Sequence, residues 1–422
     1  MARERILENT YLTYLPSEKF KTGFLSAQLV LPLEEETAAL DALLVNVLSR
    51  GTERYPDMEA VSARLDELYG ARLDPTVRKV GESHVVGFAA SCVDDRLLPG
   101  GERLLEPLAD LMGEMLLRPA REDGGFVEDF VDGERSNLVD LIESEINEKR
   151  TYAAKRLIEE MCAGEPFGVS RLGTGERAAS ITPEELEARY EAILPRARLE
   201  LFYCGGAPLE RVQASFRGAF AGRPRGECFA LPPITRRGAP ASPKRVEEAM
   251  DVSQGKLCLG FRVEGDDVPA GMLMNAMFGG TSNSKLFLNV REKLSLCYYA
   301  SSAYYRRKGI LTVSSGIEFA NYQRAVDEIF AQLDAIRRGE WEAWELDGAR
   351  SALLNTLRTM EDSAGALEDF HLQQAVSGGE ETLGSLAEDI RAVTPERVRA
   401  AAERVKADTI YFLKGKEARP CV

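Results

Sequence analysis

Apolar positions along the chain fall into two rhythms. FLSAQLVLPL (24–33), VVGFAASC (85–92), KLCLGFRVEG (256–265) and GILTVSSGI (309–317) are short runs rich in apolar and β-branched residues, and each predicts a strand. Between them apolar residues recur every three or four positions. That spacing predicts amphipathic helices over roughly 99–116, 321–338 and 340–362. In the helix that follows the first of these strands, Leu40, Leu43, Leu44, Val47 and Leu48 fall at i, i+3, i+4, i+7 and i+8, a stripe that faces a core. Ala42, Val45, Asn46 and Ser49 form its other face.

The pattern is duplicated. ITPEELEARYEAILPRARLELFYCGG begins at 181 and VTPERVRAAAERVKADTIYFLKGK begins at 393. In each, Thr182 or Thr394 is placed to cap a helix, with Pro183 or Pro395 at its first position, where a missing N–H costs nothing. An apolar strand closes each copy. Both halves read strand, helix, helix, strand, helix, long helix, helix, strand, so two homologous α+β halves are expected. The boundaries read 1–221, a linker at 222–245 rich in Pro, Gly and Arg, and 246–422.

Composition narrows the function. Apolar residues at 44% and charged residues at 29% are ordinary for a globular chain, and 422 residues suffice for more than one core. The net charge of -15 disfavours nucleic acid and anionic membrane as partners. The one basic cluster, Arg306-Arg307-Lys308, precedes Gly309 and reads as a hairpin turn. Seven cysteines (Cys92, Cys162, Cys204, Cys228, Cys258, Cys297 and Cys421) form no CxxC pair and read as reduced thiols. No run approaches the ~18 apolar residues of a membrane span, and MARERILENTYLTYLP lacks a signal-peptide core. A cytoplasmic location is expected.

Three stretches carry a family resemblance across almost the whole chain. LLVNVLSRGTERYP (43–56) resembles the tail of the metal-binding helix of the insulinase/pitrilysin peptidases. FGVSRLGTGERAASITPEEL (167–186) is similar to their Leu-Gly-Thr-x-Glu…Ile-Thr stretch, and GGTSNSKLFLNVREKLSLCYYASSAY (279–304) to the signature of their C-terminal half. The resemblance implies two halves, each a mainly antiparallel sheet covered on one face by helices. It also implies a chain that supplies one shell of a peptide-cutting chamber.

Active members of that family hold zinc on HxxEH, with two imidazoles at i and i+4, a Glu as general base, and a later Glu as third ligand. By position, Ala42, Val45 and Asn46 stand where those groups would be; the resemblance also implies a third-ligand helix over 136–161, with Leu141 at the ligand place and Glu143 and Glu145 close by. Ala and Val offer no ligand atoms and neutral Asn is a poor zinc ligand, so no metal or other cofactor is expected. Asp74-Pro75-Thr76 replaces the edge strand that pairs with substrate near the metal, and proline lacks the N–H for such pairing. His84 and His371 are the two histidines; they lie in opposite halves of the sequence and read as structural. What the resemblance leaves is Arg291 and Tyr298, the Arg/Tyr pair through which a zinc-less subunit touches a substrate carbonyl. Gly279-Gly280 marks the entry to that segment and is no phosphate loop, since no Gly-Lys-Ser/Thr follows.

Three functional readings follow. The first is a non-catalytic subunit that joins an HxxEH-bearing paralogue as a heterodimer, or forms a homodimer, around a peptide or unfolded-protein substrate. The second is a scaffold that binds without cleavage, like the zinc-less insulinase-like proteins associated with aminopentanol modification of elongation factor P. The third is a different enzyme, using Glu143 and Glu145 with a divalent ion, or a reactive cysteine.

Overall fold

A computed structural model describes residues 2–224 and 226–416, so Cys421 lies outside the described residues. Strands β1 (Ala2–Leu7), β2 (Thr10–Pro16) and β3 (Thr22–Pro32) lead to helices α1 (Glu35–Leu48) and α2 (Met58–Glu67). Strands β4 (Arg72–Val80) and β5 (Ser83–Val93) follow as a hairpin, then α3 (Leu105–Leu117) and a minor pair, β6 (Arg121–Glu122) and β7 (Gly125–Phe126). Next come α4 (Glu128–Ser144), α5 (Lys149–Met161), α6 (Gly175–Ala179), α7 (Pro183–Ile193), β8 (Arg198–Gly205) and α8 (Leu209–Phe220). The second run holds β9 (Lys244–Met250), β10 (Gly255–Val263), α9 (Val268–Asn275), β11 (Cys297–Tyr305), β12 (Ile310–Ile317), α10 (Tyr322–Arg338), α11 (Ala343–Met360), α12 (Ala364–Ser377), α13 (Leu383–Arg391), α14 (Pro395–Glu403) and β13 (Val405–Gly415).

Among the described residues, besides the β6-β7 pair, two large sheets result, in the orders β1-β2-β8-β3-β5-β4 and β11-β12-β10-β13-β9. They share one topology. β2 runs parallel to β8 and β9 runs parallel to β13, and every other pairing within the two sheets is antiparallel. Among the described strands of these two sheets, β1 alone lacks a counterpart. The duplication seen in the sequence is therefore a duplication of strand order.

Local chemistry explains several boundaries. The Thr182 hydroxyl accepts from the Glu185 N–H at 3.2 Å and Thr394 from the Arg397 N–H at 3.4 Å, with Pro183 and Pro395 opening α7 and α14 as expected. Glu35 and Glu36 occupy the first turn of α1, where negative charge complements the helix dipole. The Arg306–Gly309 turn joins β11 to β12, with Gly309 at φ +66°. The helix expected at 99–116 starts only at Leu105, because Pro99-Gly100-Gly101 holds a turn, with Gly101 at φ +71°. The single helix expected over 136–161 is broken: α4 ends at Ser144, a 3₁₀ turn covers Glu145–Asn147, and α5 restarts with the Glu148 side chain as its cap.

That break matters, because the compact units of the chain are not contiguous. One unit comprises the residues up to Ser144 with Val169–Pro233 and Glu361–Glu380; the other comprises Glu145–Gly168, Ile234–Met360 and the residues from Glu381 on. Whereas the sequence divides at 222–245, the packing trades one helical segment from each half. Residues 222–243 form no helix or strand among those described, and Lys244 and Arg245 already belong to β9.

In the first unit Leu25, Ala27, Leu29 and Leu31 of β3 point into a core shared with α1, α3, α7 and α8. Their alternate neighbours Ser26, Gln28 and Val30 are also buried, on the opposite face. There α12 lies: Leu372 packs with Val30, Val80 and Val85, and Glu368 accepts from Ser26 at 2.8 Å and from Arg78 at 2.6 and 2.8 Å. The second unit repeats the arrangement. Leu257, Leu259, Phe261 and Val263 of β10 face the helical core, while Cys258, Gly260 and Arg262 face α5. A Cβ on Gly260 would stand 2.5 Å from the Met161 sulfur, so glycine there lets α5 seat. Each sheet thus carries the expected helical layer on one face and one traded helix on the other.

The traded segment of the second unit is fixed by buried charges. Glu165, just past α5, meets Lys308 Nζ at 2.6 Å and Arg262 Nη2 at 2.8 Å, and Arg262 Nε also reaches Asp408 at 2.9 Å. All four are buried. Burial alone would raise the Glu165 carboxyl, but hydrogen bonds from Arg262 and Lys308 outweigh it and hold the group below the usual range. Among the described residues no helix is long and apolar enough to cross a membrane.

Candidate functional site

The helix that would carry a metal is α1. Its stripe of Leu40, Leu43, Leu44, Val47 and Leu48 is buried as expected, and most of the other face is buried too. Ala42 is 0% exposed and Val45 2%, because α4, α6 and α7 pack around α1 as well as the sheet does. Asn46 turns back on its own helix and donates from Nδ2 to the Ala42 carbonyl at 2.8 Å. Leu141, on α4, is 50% exposed. The four positions therefore do not converge on a polar cavity. Among the described residues no group of three or more His, Cys, Asp and Glu side chains is arranged to hold a metal ion.

What α1 holds instead is a buried ion pair. Asp41, next to Ala42, accepts from Arg189 Nε at 2.7 Å and Nη2 at 2.9 Å, and from His84 Nδ1 at 3.3 Å. Burial pushes the Asp41 carboxyl up, yet the hydrogen bonds from His84 and Arg189 bring it below its ordinary value. His84 is fully buried and serves the fold. His371 stacks on Phe202 with ring centroids 6.3 Å apart, and burial lowers its pKa. Although the two histidines come from opposite halves of the sequence, the traded helix α12 puts both in the first unit.

Among the described residues the acid and thiol alternatives have no assembled site either. Glu145 is paired with Lys155, and Glu143 stands exposed on α4. Burial raises the thiols of Cys92 and Cys258 to about 12 and that of Cys204 to about 11, the reverse of an activated nucleophile. Pro75 sits on β4, the outer strand of its sheet, opposite Phe88, and supplies no N–H to either side of that strand.

The second unit does assemble its expected pair. Arg291 and Tyr298 line one open depression of about 410 Å³, with Glu292, Ser295, Leu296, Cys297 and Glu318. Arg291 lies in a wide π-helical segment, Leu286–Lys293, and its guanidinium stacks over the Phe287 ring at 4.6 Å, with Glu292 at 3.5 Å. Tyr298 is 64% exposed because the pairing of β11 with β12 slips between Cys297 and Tyr299, leaving Tyr298 as a bulge. Ser295, at the rim, is held at φ +49°, a conformation that costs a side-chain-bearing residue free energy. The Tyr298 hydroxyl donates to Glu318 Oε1 at 3.1 Å, and that bond raises the phenol above its ordinary pKa. Gly279 is needed for close approach: a Cβ there would stand 2.7 Å from Leu286 Cδ1.

Sequence reasoning missed Glu318. Its signal was the β11–β12 register, since a turn at 306–309 brings residues near 317 opposite residues near 298. The depression offers a delocalised cation, a phenol and a carboxylate on an open surface. These groups can hold a peptide backbone through donors and acceptors together.

Comparison with known proteins bears on this arrangement. The family description Peptidase M16 inactive domain matches residues 180–353. The probable inactive metalloprotease YmfF of Bacillus subtilis (strain 168) is 34% identical over 405 residues, covering 95% of both chains. A conserved protein from Enterococcus faecalis V583 superposes with a TM-score of 0.90 at 28% identity, covering 99% of each chain. The peptidase M16 inactive domain from Pseudomonas fluorescens shares the fold, with a TM-score of 0.77 at 17% identity over 100% of this chain and 99% of its own.

Proposed function

The chain belongs to the M16, insulinase-type peptidase family as an inactive member, and we propose that it acts as the substrate-contacting partner of an HxxEH-bearing paralogue. The supporting observation is a contrast between the two units. Where catalysis would need ligands, α1 carries Ala42 and Val45 packed into a core; Arg291 and Tyr298 nevertheless line one open depression. A core position without ligand atoms is filled by packing, whereas a half-exposed Arg and an exposed Tyr add little to stability by lining one depression.

The chemistry of the pair suits a carbonyl oxygen. The Arg291 guanidinium presents several N–H donors, and Tyr298 presents one O–H. In the free chain that O–H is committed to Glu318. A substrate carbonyl that takes it frees the Glu318 carboxylate, which then accepts a peptide N–H, so one exchange satisfies both edges of the backbone. A metal held by the partner would supply the activated water, and the same two donors would stabilise an oxyanion developing at that carbonyl.

The test is reconstitution. The chain is mixed with the paralogue, and peptide cleavage is measured with each alone and with both. The reading expects a stable complex and cleavage that needs both chains. It further expects Tyr298→Phe and Arg291→Ala to lower the rate by roughly 10²–10³, the usual effect of losing one oxyanion donor, without loss of complex. Full activity in both variants would leave the chain as a scaffold. Absence of any complex would end the proposal.

A further inference from the structure

A helix is stabilised by acid at its N-terminal end and by base at its C-terminal end, because its backbone dipoles add along the axis. α1 to α4 and α6 to α8 each carry Asp or Glu in the first turn. α5 is charged the other way round: it opens on Lys149 and Arg150 and closes on Glu159 and Glu160. The closing acids are answered, by Arg156 at 2.6 and 2.9 Å and by Lys244 at 2.7 Å. The opening cations are not. Arg150 is exposed at the start of the traded segment, and among the described residues it forms no salt bridge.

A second cation shares its platform. Lys256, Gly316 and Tyr299 stand side by side on β10, β12 and β11. A Cβ on Gly316 would stand 2.5 Å from Tyr299 Cε1 and 2.9 Å from Gln254 Oε1, so the tyrosine ring lies directly on that glycine. The Arg150 guanidinium lies 4.2 Å from the ring centre and Lys256 Nζ lies 6.0 Å from it. Ser301 Oγ accepts one Arg150 N–H at 3.2 Å, and Gln254 Oε1, a neutral oxygen, accepts from Lys256 Nζ. Burial lowers the Lys256 pKa; Glu148 opposes that fall and Arg150 adds to it. Glu148 is the acid of this neighbourhood, and it turns its carboxylate to the Arg150 backbone N–H at 3.2 Å as the cap of α5. Two cations and the positive end of a helix thus stand together without a carboxylate in contact with either side chain.

We infer that Arg150 and Lys256, gathered over the Tyr299 ring, bind a small doubly charged anion of the phosphate class. Arg150 keeps guanidinium N–H groups beyond the one given to Ser301, and it offers them as a planar fork; Lys256 adds a compact charge, and the N-terminus of α5 adds its dipole. A dianion neutralises both side chains at once, whereas chloride or a single carboxylate leaves one unanswered. The net charge of -15 repels long polyanions from the chain as a whole, which leaves a small anion as the species the site can select. Once bound, the anion ties the start of α5 to β10 and β11 and so seats the traded segment on its sheet. No residue lining the Arg291 depression takes part, so this inference is independent of the partner-subunit reading.

The test is equilibrium dialysis of the full chain against radiolabelled inorganic phosphate, with ionic strength held constant by chloride. Saturable binding of one phosphate per chain is expected, displaced by sulfate and not by chloride. Arg150→Gln and Lys256→Gln are each expected to weaken it by about tenfold or more, the effect of losing one charge-assisted contact. Glu148→Gln is expected to tighten it, because the competing carboxylate is gone; a cluster that served only the fold would not respond in that direction. Arg150 and Glu148 are both exposed, so these two variants carry the test even where Lys256→Gln fails to fold. Glycerol phosphate as competitor separates the sources: displacement at least as strong as by phosphate itself assigns the site to a small phosphate ester, and weaker displacement assigns it to the free ion. Absence of saturable binding to the wild-type chain overturns the inference, as does undiminished binding by Arg150→Gln.

Discussion

Rebuilding the metal motif tests how far α1 has departed from a catalytic helix. The perturbation is Ala42→His, Val45→Glu and Asn46→His together. Ala42 is 0% exposed and Val45 2%, so the new side chains enter a filled core. Overpacking at Ala42 costs about 1–3 kcal/mol, and an imidazole buried without partners adds about 1–3 kcal/mol. Removing the Val45 side chain forfeits roughly 1.5–3 kcal/mol of burial, and the new carboxyl must be desolvated as well. The total, about 5–10 kcal/mol, is comparable to the whole stability of a typical domain. Zinc offsets such a loss only through a complete ligand set, and Leu141 offers none. Urea unfolding of each single and the triple variant, with zinc measured after dialysis, is the assay. Asn46→His alone is expected to cost under ~1 kcal/mol, because Asn46 is only half-buried. The triple variant is expected to unfold at much lower urea and to retain no stoichiometric zinc. A triple variant with an unchanged midpoint and one bound zinc would refute the reasoning.

Other outcomes follow from the same geometry. Glu165→Ala leaves Lys308 and part of Arg262 buried without their carboxylate and is expected to cost about 3–5 kcal/mol in urea unfolding. Because the Glu165 carboxyl is lowered in the fold, its contribution is complete above the ordinary glutamate value of 4.5 and fades as pH falls through the lower folded value; an acid titration of the Glu165→Ala variant is expected to lack that component. Thr182→Ala and Thr394→Ala each remove a cap hydrogen bond and are expected to cost ~1 kcal/mol, read by thermal melting. Cys92, Cys204 and Cys258 are expected to stay unlabelled by a thiol reagent at pH 8 under native conditions, followed by mass spectrometry, because their raised pKa values keep them protonated and they are buried.

The chain announces local structure well and long-range partnership poorly. The caps at Thr182 and Thr394 were legible because a Thr-Pro pair acts on its own turn. The strands at 24–33 and 256–265 were legible as apolar runs, but their two-sided burial was not. Ser26, Gln28 and Cys258 look like an outward face until a helix from the other half covers them. The far face of α1 was undecided for a related reason: small and apolar residues fit an open groove or tight packing equally well, and only the approach of α4 and α6 decides. Arg291 and Tyr298 were singled out by the resemblance of the motif around them, and no local spacing shows that they line one depression. Glu318 and the Glu165–Lys308 pair depend on register and on a traded segment, which no local spacing encodes.

That trade has a consequence for synthesis. The first sheet cannot close its back until residues 364–377 have been made, by which time most of the chain has left the ribosome. The second sheet finds its cover, residues 149–161, already waiting. A gene cut at the proline-rich connector would thus give two polypeptides, each missing its own lid and carrying the other's. Neither would be expected to stay in solution alone, and the pair, expressed together, should rescue one another.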